Sequence, residues 1–240
     1  MPRRIELVSG LNVYDGGIAP PITNNLLCCL PCQEVNVVFE NVHNSPLTIT
    51  ALNIDDDVTL TATITSINGS APSFPFVVAA GATFNVKFEI CRGTGAPSAY
   101  WKFSFYTAQH GNEDLYYVPM TCVTIDDLTS ISGVNFIDVV PGTTVTETGS
   151  VTNNTLEGFT YTISLCPGLT GTNLTATVPV GATIGFTISW SPTSYPEIIS
   201  CVGGISVNEN PLDCSTKLSI DGNTVNYDCD AEGGICCLNV

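Results

Sequence analysis

Bases are scarce: six Lys and Arg stand against 22 Asp and Glu in 240 residues, a formal net charge of −16. Nucleic-acid phosphates are held by clustered Lys and Arg, so no nucleic-acid partner is expected. Charge of either sign is thin, 12% of residues where an average globular chain carries roughly 25%. Surface polarity must therefore come from Thr, Ser and Asn. Histidine is reduced to His43 and His110, which leaves little general-base chemistry. Long apolar runs are missing, since no window approaches the roughly 20 residues that span a bilayer, and no membrane partner is expected. The first twenty residues carry Arg3 and Arg4 but no apolar h-region after them, so no cleavable export signal is expected.

What is present is alternation. Short runs with a period of two recur as VNVVF from Val35, LTITAL from Leu47, TFNVKFEI from Thr83, YWKFSFY from Tyr100 and TIGFTISW from Thr183. That period describes strands with one buried face. Between them stand Asn-Ser-Pro, Asn-Gly-Ser, Gly-Thr-Gly and Pro-Gly-Thr, turn chemistry that closes strands into a sandwich.

Two internal repeats set the organisation. Ala80-Gly81-Ala82-Thr83-Phe84-Asn85-Val86-Lys87-Phe88 returns as Val180-Gly181-Ala182-Thr183-Ile184-Gly185-Phe186-Thr187-Ile188. Upstream, Phe39-Glu40-Asn41 before Leu47-Thr48-Ile49-Thr50 matches Val151-Thr152-Asn153 before Phe159-Thr160-Tyr161-Thr162. Duplicated units are predicted, with an arm over 1–32, a first sandwich over 33–123, a linker over 124–129, a second sandwich over 130–225 and a Cys-rich tail over 226–240.

The stretch from Val38 to Leu52, with a strand ending in Asn41, a short turn and Pro46-Leu47-Thr48-Ile49-Thr50, resembles ASH and major-sperm-protein-like immunoglobulin-fold domains, also called choice-of-anchor D repeats. The Ala80 to Phe88 element, and Gly181 to Pro192 with its proline, resemble a later strand of the same family. The first copy departs from that pattern in having Ile90-Cys91-Arg92 where a proline is usual. The resemblance implies an all-β pair of tandem immunoglobulin-like sandwiches without an active site, serving as spacers and protein-binding surfaces. Similar folds occur on the heads, necks and tails of tailed bacteriophages.

Eleven cysteines are many, and the count is odd. Without an export signal they are expected to be buried or interfacial thiols rather than disulfides; disulfides formed after release from the cell are the alternative. No metal and no cofactor are expected. Were zinc to bind, Cys29, Cys32, Cys236 and Cys237 are the candidate ligands, although six residues between Cys229 and Cys236 depart from knuckle spacing. No catalytic signature surrounds His43 or His110, so no enzyme is expected. Asp55-Asp56-Asp57, Glu113-Asp114 and Asp126-Asp127 lack the alternating calcium loop and are read as hydrated loop tips. Trp101 and Trp190 are read as sandwich core rather than a sugar-binding platform.

Apolar residues outside the predicted sandwiches need cover. Leu26, Leu27, Cys28, Cys29 and Leu30 at one end, and Ile235 and Leu238 at the other, are therefore the expected interface. The expected function is a non-enzymatic structural component of a virion made in a host cytoplasm. It would be a tailed-phage capsid decoration, head-fibre, neck or tail accessory protein, present as an oligomer among other virion proteins. The alternative is a secreted bacterial adhesion or carbohydrate-binding module, which predicts intact disulfides. A cytosolic scaffold with a basic peptide-binding face is the weakest reading, given six bases.

Overall fold

The computed structural model describes residues 4–13, 24–27, 29–55, 60–92, 100–207, 214–229 and 236–239. The chain divides into two compact units. One holds Met1–Val123 with Thr155–Glu157, the other Thr124–Asn154 with Gly158–Val240.

The first unit runs through β1 (Ile5–Ser9), β2 (Asn24–Leu27), β3 (Cys32–Asn41), β4 (Leu47–Asp55), β5 (Leu60–Ile67), β6 (Phe76–Val78), β7 (Thr83–Arg92), β8 (Tyr100–Thr107) and β9 (Gly111–Val123). Two sheets form, in the orders β1-β3-β7-β5 and β2-β9-β8-β4-β6. Alternation decides which side chains meet between them. On β3 the buried positions are Gln33, Val35, Val37, Phe39 and Asn41, and on β7 they are Phe84, Val86, Phe88 and Ile90. From the opposite sheet come Trp101, Phe103, Phe105 and Tyr116, all within one apolar cluster. Phe39 sits at its middle, with ring centroids 4.9 Å from Phe105, 5.4 Å from Phe84 and 5.7 Å from Phe103. Edge and offset ring pairs of this kind contribute about 0.5–1.5 kcal/mol each beyond simple burial.

The second unit contains α1 (Ile125–Leu128), β10 (Gly133–Val139), β11 (Val145–Thr152), β12 (Phe159–Ser164), β13 (Leu169–Thr172), β14 (Thr175–Val178), β15 (Thr183–Trp190), β16 (Ile198–Val207) and β17 (Ser215–Thr224), then a hairpin of β18 (Asn226–Cys229) and β19 (Cys236–Asn239). Its sheets run β11-β15-β13 and β10-β17-β16-β12-β14. The strand order repeats that of the first unit: β3-β7-β5 corresponds to β11-β15-β13, and β9-β8-β4-β6 to β17-β16-β12-β14. In each unit an early strand also runs parallel to the last strand of the sandwich, β2 beside β9 and β10 beside β17. Rings from facing sheets meet here as well, Phe136 with Trp190 at 6.0 Å and Tyr161 with Phe186 at 6.3 Å.

The repeated Asn is a structural device in both units. Asn41 and Asn153 are fully buried at the end of β3 and β11. Asn41 donates its amide to the carbonyls of Val78 and Ala79 at 3.0 and 3.1 Å, and Asn153 donates to Val178 at 2.9 Å. Their main chains close the same ring. Asn41 N–H donates to Ala82 and Asn153 N–H to Ala182, while Gly81 and Gly181 donate back. Those two glycines have φ of +70° and +75°, the left-handed turn that a Cβ disfavours. The repeat read in the sequence is thus a buried-amide latch between two turns.

Three expectations need correction. The 1–32 segment is not an arm in its described parts, because β1 and β2 complete the sheets of the first unit. The 124–129 linker is a short helix in the second unit, burying Ile125 and Leu128. The 226–240 tail contains the β18–β19 hairpin. Trp101, on β8, and Trp190, on β15, are buried core residues as expected, 1% and 2% exposed.

Candidate functional site

Both units carry disulfides. Cys32 and Cys91 face each other across β3 and β7 and are bonded, with Cα atoms 4.0 Å apart. Cys166, in the loop after β12, is bonded to Cys201 on β16. Cys29, Cys122 and Cys214 are disulfide-bonded too. The expectation of free thiols therefore fails at these positions. Strand pairing explains why: the register places Cys32 opposite Cys91, a proximity that sequence spacing cannot reveal.

The zinc set dissolves for the same reason. Cys29 and Cys32 are oxidised and cannot serve as thiolates. Cys236 and Cys237 lie on β19, with side chains outside the described residues. Cys32, Glu89 and Cys91 also lie close enough together to suggest an ion, yet two of the three are one cystine.

The expected terminal interface is largely used inside the first unit. Leu26 and Leu27 are 3% and 0% exposed on β2, which pairs with β9. Buried amides tie this strand down. Gln33 accepts from the Leu27 N–H and donates to its carbonyl, both at 3.2 Å, and Asn24 donates to Pro119 at 2.8 Å. Leu30 and Cys29 are half-buried. Cys28 and Ile235 lie outside the described residues, as does the side chain of Leu238. Exposed apolar side chains lie elsewhere: Ile137 on β10, with Ile198 and Val202 on β16, are 66%, 77% and 63% exposed on strands that both pair with β17. None of the three falls in an alternating run that the sequence singles out. Sheet order was needed to place them in one region.

The acids divide by use. Asp55 pairs with Lys102 at 2.7 Å. Asp56 and Asp57 lie outside the described residues, as do the side chains of Glu113 and Asp114. Asp127 accepts from the Thr124 N–H and hydroxyl, each at 2.8 Å. The backbone bond first and the hydroxyl second hold its carboxyl below the usual range. Asp126 accepts from the Thr216 hydroxyl. The pair thus caps α1 and fastens it to β17.

Both histidines sit in turns, and the fold brings them together, with ring centroids 5.5 Å apart. Burial raises the Tyr161 phenol above its ordinary range, and its hydroxyl donates to the Asn173 carbonyl at 2.7 Å.

No family model matches the chain, and no curated protein matches it. Among solved structures, the ASH/PapD-like domain of human CEP192 (PapD-like domain 7) is similar at 10% identity and TM-score 0.37, over 42% of this chain and 85% of that one. A Porphyromonas gingivalis W83 protein of unknown function is similar at 11% identity and TM-score 0.33, over 92% and 99%. The CupB6 tip adhesin of Pseudomonas aeruginosa is similar at 8% identity and TM-score 0.24, over 92% and 98%. At these scores the strand order of the chain itself, rather than likeness, carries the β-sandwich fold.

Proposed function

We propose that the chain is an extracellular, non-enzymatic attachment or assembly module: two tandem β-sandwiches that act through protein-binding surfaces. The observation that carries this reading is disulfide bonding in both units, Cys32–Cys91 and Cys166–Cys201. Disulfides persist in oxidising compartments and are rare in reducing ones. The exposed Ile137, Ile198 and Val202 support a protein partner. Burial of Trp101 and Trp190 favours protein over sugar, because neither ring is free to stack on a ligand.

The virion reading shares the mechanism of surface complementarity and requires the disulfides to form after release from the host. Light scattering of the purified chain, with and without reductant, separates the two. A monomer or small oligomer whose fold is lost in reductant supports the extracellular module. A particle-sized species that persists in reductant overturns it and favours packing between virion subunits.

A further inference from the structure

We infer that His43 and His110 form a binding site for a divalent transition ion of the zinc type at one end of the first sandwich. This goes beyond the proposed attachment role and does not depend on it. The chain has two histidines, 67 positions apart, and the fold sets their rings at a centroid distance of 5.5 Å and an interplanar angle of 64°.

That spacing suits a shared ion. A zinc–nitrogen bond of about 2.0–2.1 Å plus roughly 1.1 Å from nitrogen to ring centre puts each centroid about 3.2 Å from the metal. At the tetrahedral angle two such rings stand about 5.2 Å apart. Imidazole is a favoured ligand for zinc, copper and nickel, and water completes the coordination at an open surface site.

Both loops are held before any ion arrives. Asn41, the buried latch residue, accepts from the His43 N–H at 3.0 Å through its side-chain oxygen and donates to the Ser45 carbonyl at 3.1 Å. His43 Nδ1 is 2.8 Å from the Ser45 hydroxyl. When Nδ1–H donates to that hydroxyl, Nε2 keeps its lone pair, the outer-shell arrangement that fixes a metal-binding tautomer. His110 lies in the turn between β8 and β9, its N–H donating to the Thr107 hydroxyl at 3.2 Å. The same turn is tied to β4. Ala108 N–H donates to the Thr48 carbonyl at 2.9 Å, and Gln109 accepts from the Thr48 N–H at 3.0 Å. His43 is half-buried and His110 exposed, so an ion has access. A net charge of −16 raises the local concentration of cations.

The test is calorimetric titration of zinc chloride into the full chain without reductant, beside a His43→Ala/His110→Ala variant that measures any background from other groups. One zinc per chain above that background is expected. His43→Ala and His110→Ala should each weaken it at least about tenfold, and Ser45→Ala roughly tenfold. Long-range proton–nitrogen spectra of the unmodified chain need no variant: the signals of both imidazoles should move together with the same zinc dependence. Zinc uptake equal to that of the double variant, or zinc shifts at one imidazole or neither, overturns the site.

Discussion

Asn41 and Asn153 show how much one side chain can organise. Each is an amide with no exposure, bonded to the carbonyls of a facing turn. Truncation leaves buried carbonyls unpaired, at a cost of about 1–3 kcal/mol each. Asn41→Ala and Asn153→Ala should therefore each lower the urea midpoint with the slope unchanged; an unaltered midpoint in both would refute the latch. Gly171 makes a harder demand. A Cβ there would lie 2.2 Å from the Thr187 carbonyl oxygen, on the backbone of the paired strand, so Gly171→Ala must push β13 away from β15. A loss of about 1–3 kcal/mol is expected from such overpacking. A Cβ on Gly81 meets no atom within 4 Å, and Gly81→Ala should cost about 1 kcal/mol through its positive φ alone. The importance of Asn41 and Asn153 was legible as repetition, whereas the partners of their amides were not, because those are backbone atoms about 25–38 positions away.

Elements were easier to read than their neighbours. Alternation located β3, β4, β7, β8 and β15, since a two-residue period follows from strand geometry itself. It gave no pairing order, and that is where the expectation for Leu26 and Leu27 went astray. Four residues, NNLL, are too few to show a period, yet they fit beside β9 in parallel. Leu27→Ala is expected to destabilise the first unit by about 2–5 kcal/mol, as other buried leucines do. Size by light scattering should stay unchanged at concentrations where the variant is folded; dissociation of an oligomer without loss of stability would restore Leu27 to an interface. The low charge also resolves at this scale. Cross-strand hydroxyl pairs line the exposed strands of the second unit, among them Thr146–Ser189, Thr152–Thr183 and Thr172–Thr187, all at 2.8–2.9 Å. At α1, the folded carboxyl of Asp127 titrates below its unfolded value of about 3.9 because Thr124 bonds to its charged form. Its contribution is present above that unfolded value and fades as pH falls through the folded one. Asp127→Asn should flatten that part of the acid limb of stability; an identical limb would count against the cap.

At the scale of the molecule, two sandwiches of the same strand order share one strategy, an aromatic or aliphatic core between sheets and a disulfide across strands or loops. The duplication was visible in the sequence because turn and strand chemistry recurs in order. Oxidation was not, because disulfide partners are set by register and loop proximity in three dimensions. Cross-links over sequence separations of 59 and 35 residues are expected to stabilise by about 4 kcal/mol each through restriction of the unfolded chain. Reductant should accordingly lower the thermal midpoint markedly. The account rests most heavily on the oxidation itself. The measurement that reaches it directly is peptide mapping of the chain isolated from its own source, with free thiols blocked at harvest and no reductant before digestion. The prediction is one cross-linked species joining the peptides of Cys32 and Cys91 and another joining those of Cys166 and Cys201. Blocked, unpaired thiols at those four positions would contradict an extracellular, disulfide-held module.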